Sequence, residues 1–165
     1  MIAHQGDVTR AACRLLQAAR WTVVYSCVPN TPHVGVIPIP TPSGSARQRY
    51  PDILATDGTV VRLVEVEPRL TRGVATNIIQ RLGEQVGALS VAEAWESWRR
   101  HVEESHGLSM PREFVPRTDL VVCAGLSPSH QPQLERLAAA AIAVSELTTF
   151  QCGPSPDADR SAGDR

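Results

Sequence analysis

Between Pro51 and Pro68 the chain reads PDILATDGTVVRLVEVEP, and this stretch constrains the fold more than any other. Two runs rich in Ile, Leu and Val suit a pleated, half-buried surface. They flank Asp57-Gly58, a pair that favours a tight hairpin turn. The prolines at either end cannot donate to a sheet ladder and so bound the unit. The expected elements are a short strand over 52–55, a turn over 56–58 and a longer strand over 59–67.

The flanking sequence supplies the rest of the sheet and its cover. Residues 7–20 carry Val8, Ala11, Ala12, Leu15, Leu16 and Ala19 at helical spacing behind Asp7, which reads as an N-cap. WTVVYSCV over 21–28 reads as a strand. Six of the thirteen prolines fall between Pro29 and Pro51, so 29–51 reads as a proline-rich loop insertion, with HVGVIPIP as an irregular edge strand. Beyond Pro68, helices are expected over 71–89 and 91–106, a buried strand over 118–124, a helix over 132–140 and a last strand over 141–147. A hairpin followed by crossover helices and further apolar strands implies an α/β fold, a mixed central sheet flanked by helices. The expected organisation is one domain over 1–152 with a polar, disordered tail over 153–165.

Composition removes several kinds of chemistry. All 16 basic residues are arginine, which excludes a lysine Schiff base, a lysine general base and a P-loop lysine. A formal charge of −1 leaves nucleic-acid binding to a local patch. Cys13, Cys27, Cys123 and Cys152 form no C-x-x-C pair and read as free thiols of a reducing cytoplasm. There is no apolar run long enough for a membrane span. His101 and His106 lie five apart on a helix and diverge by about 140°, unlike a zinc-binding pair. Trp95 and Trp98 read as packing residues rather than base-stacking platforms.

The chemistry concentrates at the end of the long strand. Alternation puts Glu65 and Glu67 on one face with Val66 opposite, and hairpin pairing brings Asp52 beside them. Three carboxylates in a half-buried site cannot all stay ionised without a cation. Oxygen-only donors of this kind suit Mg²⁺ or Mn²⁺. The alternative is a solvated strand end whose glutamates pair with Arg62, Arg69 or Arg72.

Pro51-Asp52, a hairpin and Glu65-Val66-Glu67 together resemble the PD-(D/E)xK nuclease superfamily, the restriction-endonuclease-like fold with its α-β-β-β-α-β core. The resemblance spans about residues 7–124. It implies a metal-dependent endonuclease that hydrolyses phosphodiester bonds in DNA. Asp52, Glu65, Glu67 and the Val66 carbonyl would hold Mg²⁺ or Mn²⁺. Glu67 stands where most members carry lysine, and would hold a second ion or orient the attacking water. Gln80 matches a glutamine that relatives place in the active site on the following helix, and Asp7 matches an acid of the first helix. Arg47, Arg49, Arg69, Arg72 and Arg81 surround the acids and would hold the DNA backbone. Small members of this fold often pair as homodimers. A non-catalytic relative, acting as a nucleic-acid-binding or assembly subunit, is the other function that the resemblance implies.

Overall fold

A computed structural model describes residues 5–28, 39, 50–123 and 125–150. The order is helix α1 (Gln5–Ala18), strands β1 (Thr22–Ser26), β2 (Ile53–Thr56) and β3 (Val61–Glu67), helices α2 (Arg72–Leu89) and α3 (Ala92–His106), strand β4 (Pro116–Val122), helix α4 (Gln131–Ala139) and strand β5 (Ile142–Glu146). The described strands form one five-stranded sheet in sequence order. β1, β2 and β3 are an antiparallel meander, and β4 and β5 join parallel to β3. The expected α/β fold with a mixed, helix-flanked sheet is therefore present. The edge strand expected over 33–40, most of the 29–51 insertion and the 153–165 tail lie outside the described residues.

Each face of the sheet buries its own core. α1 presents Val8, Ala12 and Leu16 to Ile53, Ala55, Val64, Val66 and Val121. The other face packs Leu54, Leu63, Leu120 and Val122 against Ala75, Ile78 and Leu82 of α2, Trp95, Trp98 and Val102 of α3, and Leu137 of α4. Trp95 and Trp98 lie 5.8 Å apart, and Trp95 stacks on Phe114 at 4.9 Å, so both belong to this core. Alternation in β3 is the physical link: 61, 63, 65 and 67 face α2, while 62, 64 and 66 face α1.

Local chemistry explains where elements begin and end. The β2–β3 connection covers four residues, 57–60, rather than a two-residue turn. The Asp57 carboxylate accepts from the amides of Thr59 and Val60, both at 2.8 Å, and draws them out of the ladder. Gly58 has φ +95°, a backbone conformation that only glycine adopts without strain. The Thr71 hydroxyl caps α2 by accepting from the Val74 amide at 3.1 Å. Asp7 is not an N-cap, because α1 already includes Gln5; it is exposed and pairs with Arg10 at 3.3 Å.

Candidate functional site

Strand register assembles the site. β2 pairs with β3 through Ile53 opposite Val64. Continued by one residue, that register sets Asp52 across from Glu65, and opposed residues of an antiparallel pair share a face. β1 carries a bulge between Val23 and Tyr25 that shifts its pairing with β2 by one residue. The shift puts Cys27 across from Asp52, where its amide donates to the Asp52 carbonyl at 2.9 Å. Cys27, Asp52 and Glu65 thus form a row over three strands. Glu67 follows Glu65 on the same face of β3.

Asp52 is almost buried (8% exposed) and held from three sides. Its Oδ2 accepts from the Val66 amide at 2.8 Å and from Gln5 Nε2 at 3.4 Å, and its Oδ1 accepts from the Cys27 thiol at 3.0 Å. Glu65 is fully buried (0%). Arg81 of α2 brings Nη2 within 3.0 Å of Glu65 Oε2, but among the described residues no aligned hydrogen bond reaches either carboxyl oxygen. Burial pushes Glu65 well above the usual carboxylate range. The Asp52 charge adds to this, the Arg81 guanidinium opposes it, and a hydrogen bond to Asp52 and the Glu67 charge raise it further. Two ionised carboxylates are both acceptors, so a bond between Asp52 and Glu65 exists only when one carries a proton. Burial first, and then the Asp52 charge, also hold the Cys27 thiol far above its ordinary range, which keeps it a neutral donor.

Above this row lies a polar cleft of about 390 Å³, lined among others by Gln5, Cys27, Asp52, Glu67, Asn77 and Arg81. Asp52 and Glu67 reach it directly, and Glu65 lies beneath, coupled to both. Gln80 does not line it; it is exposed and donates to Glu84 at 3.3 Å. Arg69 and Arg72 are exposed near the end of β3 and the start of α2, outside the cleft lining, and Arg47 and Arg49 lie outside the described residues. Arg81 differs from these arginines: it is nearly buried and aims into the acids.

Arg62, one of the arginines expected to pair with the strand-end glutamates, does not meet Glu65. Arg62 faces α1, away from Glu65, and binds Asp119 of β4 through Nε at 2.7 Å and Nη2 at 3.2 Å. Trp21 and Phe150 flank its guanidinium at 5.1 and 4.8 Å. The residue that meets Glu65 is Arg81.

Gln5 and Asn77 are site residues that the sequence reading passed over. Gln5 continues the stripe of Val8/Thr9, Ala12 and Leu16 by one turn, so a polar residue heads the buried face of α1. Asn77, Arg81 and Gln85 recur at four-residue spacing on α2, and Arg81 and Gln85 are buried. Polar residues at core-facing helical positions were the available signal in both helices.

The donors fit a hard cation chemically. Asp52, Glu67, the Val66 carbonyl and the Glu65 carboxylate are all oxygen ligands. As the side chains stand, no three His, Cys, Asp or Glu groups among the described residues are arranged to hold an ion. Gln5 Nε2 takes the Val66 carbonyl at 2.8 Å, and Arg81 takes Glu65. Cys13, Cys27 and Cys123 are free thiols, each partly buried. No described helix is long and apolar enough to cross a membrane. Compared with protein-family models, curated proteins and solved structures, the chain matches none of them.

Proposed function

We propose that the chain is a metal-dependent phosphodiester hydrolase of the cytoplasm that acts on DNA, built on a restriction-endonuclease-like core. One observation carries this reading: Asp52 and Glu67 open into a polar cleft directly above a buried Glu65 whose ionised form is disfavoured by burial and by Asp52. Such a group is stabilised by a cation, and evolution toward stability alone would place an apolar residue there. The order α1-β1-β2-β3-α2, followed by β4, supports the core assignment.

Asp52, Glu65, Glu67 and the Val66 carbonyl would hold Mg²⁺ or Mn²⁺. When bound, the ion supplies Lewis acidity and lowers the pKa of a water. The chain's own groups do the rest. Glu67, at the cleft surface, accepts the proton of the attacking water. The water oxygen bonds to phosphorus as the opposite ester P–O bond breaks, and the leaving oxygen keeps that bond's electron pair and takes a proton from solvent. Arg81 lines the cleft, so its guanidinium can donate to a phosphate oxygen. It thereby returns the positive charge that Glu67, in place of lysine, removes. Arg69 and Arg72 lie outside the cleft lining and would hold flanking phosphates. Pairing of two chains would let both strands be cut.

A second reading rests on the donors already in place. Gln5 and Arg81 occupy the oxygens that an ion needs, as they would in a non-catalytic binding or assembly subunit. Cleavage of single- and double-stranded DNA with Mn²⁺, against EDTA and Asp52→Asn, separates the two. The hydrolase reading expects cutting that EDTA and Asp52→Asn each abolish. Metal binding with no cutting of either DNA, nor of RNA, selects the subunit.

A further inference from the structure

The amide of Gln5 stands on two of the oxygen ligands assigned above. Its Nε2 donates to the Val66 carbonyl at 2.8 Å and lies 3.4 Å from Asp52 Oδ2. An NH₂ group carries two hydrogens, so one nitrogen serves both acceptors. The two oxygens converge because Asp52 Oδ2 also accepts from the Val66 amide at 2.8 Å, which ties the carboxylate to that peptide. A nitrogen bridging a carboxylate and a carbonyl occupies the place of a cation between them. α1 delivers it from a different element than the acids, and Gln5 lines the cleft mouth with Gly6 and Thr9.

From this we infer that Gln5 is the affinity-determining residue of the metal site: a built-in competitor whose amide must leave before an ion can bind Asp52 and the Val66 carbonyl. The inference rests on the metal site of the proposed hydrolase, though not on catalysis. Ion entry breaks one good hydrogen bond and one long one, and the released amide returns to water. A side chain of the same length without donors removes that cost.

The test is Mn²⁺ binding by the full chain, read from the loss of the free-ion electron paramagnetic resonance signal, which needs no substrate. Gln5→Met should bind Mn²⁺ roughly three- to tenfold more tightly than wild type, the worth of about one net hydrogen bond. Gln5→Glu replaces donors with a further carboxylate and should bind more tightly still. Asp52→Asn should lose binding. If Gln5→Met binds more weakly while Asp52→Asn loses binding, Gln5 is a ligand through its carbonyl oxygen and the competitor role is overturned. Unchanged affinity in Gln5→Met overturns it as well. Absence of binding in wild type and in every Gln5 variant overturns the metal site itself. Urea unfolding of each variant, showing a folded baseline, keeps a misfolded protein from posing as a non-binder.

Discussion

Glu65→Gln should make the protein more stable, and more so at higher pH. Glu65 is fully buried in a row with Asp52, and its folded-state pKa is raised, first by burial and then by the Asp52 charge. A raised carboxyl favours folding fully only below its unfolded value near 4.5, and that contribution is lost as pH climbs toward the folded value. The size is bounded without knowing the folded pKa. Carrying a proton on a group that would ionise at 4.5 costs about 1.4 kcal/mol per pH unit, so the most that Glu65 can cost at pH 7.5 is about 4 kcal/mol. Glutamine is neutral, nearly isosteric and able to donate to Asp52, so it removes this cost. The expected gain is up to about 4 kcal/mol at pH 7.5, or a midpoint rise of up to about 15 °C, and it shrinks toward zero near pH 4.5. Urea unfolding between pH 5 and 8 reads the difference through Trp21, Trp95 and Trp98, which are all buried. Titrating groups that do not interact with Glu65 are common to both proteins and cancel. A Glu65→Gln protein less stable than wild type at pH 7.5 would be the opposite outcome. It would mean that the Arg81 contact at 3.0 Å outweighs burial and repulsion, and that Glu65 is a stable ionised partner.

Two further outcomes follow from the same electrostatics. Asp119→Asn alone should cost about 3–5 kcal/mol, because it takes the countercharge from the buried Arg62 guanidinium, whereas Arg62→Met with Asp119→Leu should return close to wild type in urea unfolding. Mn²⁺ at about 100 times its dissociation constant should stabilise the folded protein by ~2.7 kcal/mol, a midpoint rise of roughly 5–11 °C in thermal melts. EDTA should reverse that rise, and Glu67→Gln should shrink it.

Much of this molecule is legible in its sequence, because periodicity reports burial. The alternation of VVRLVEVE fixes which face of β3 each side chain takes, and the spacing of Val74, Ile78, Leu82 and Val86 marks the inner face of α2. Asp52 and Glu65 could be brought together because antiparallel pairing across Asp57-Gly58 is a local matter. What was not legible depends on contacts distant in the chain. Gln5 meets Val66 across 61 residues; its place at the head of the α1 stripe marks it as a polar residue on that face, but not which partner it meets. The bulge after Val23 sets Cys27 opposite Asp52, and a one-residue bulge leaves no mark in a β-branched run. Arg62 is near the glutamates in sequence, but alternation turns it to the α1 face. Its partner Asp119 sits in another apolar strand, and two opposite charges in the middle of buried strands were the available clue. Gln80 failed to reach the cleft for a simple angular reason: Asn77 and Arg81 stand four apart on the inward edge of α2, and Gln80 points to solvent toward Glu84.

If the acids at the end of β3 form a divalent-cation site, crystals soaked in Mn²⁺ reveal it by anomalous diffraction. One strong anomalous peak is expected within coordination distance of Asp52, Glu65 and the Val66 carbonyl, with the Gln5 amide withdrawn from that carbonyl. A soaked crystal that shows no peak there, with Gln5 still on Val66 and Arg81 still on Glu65, would contradict it.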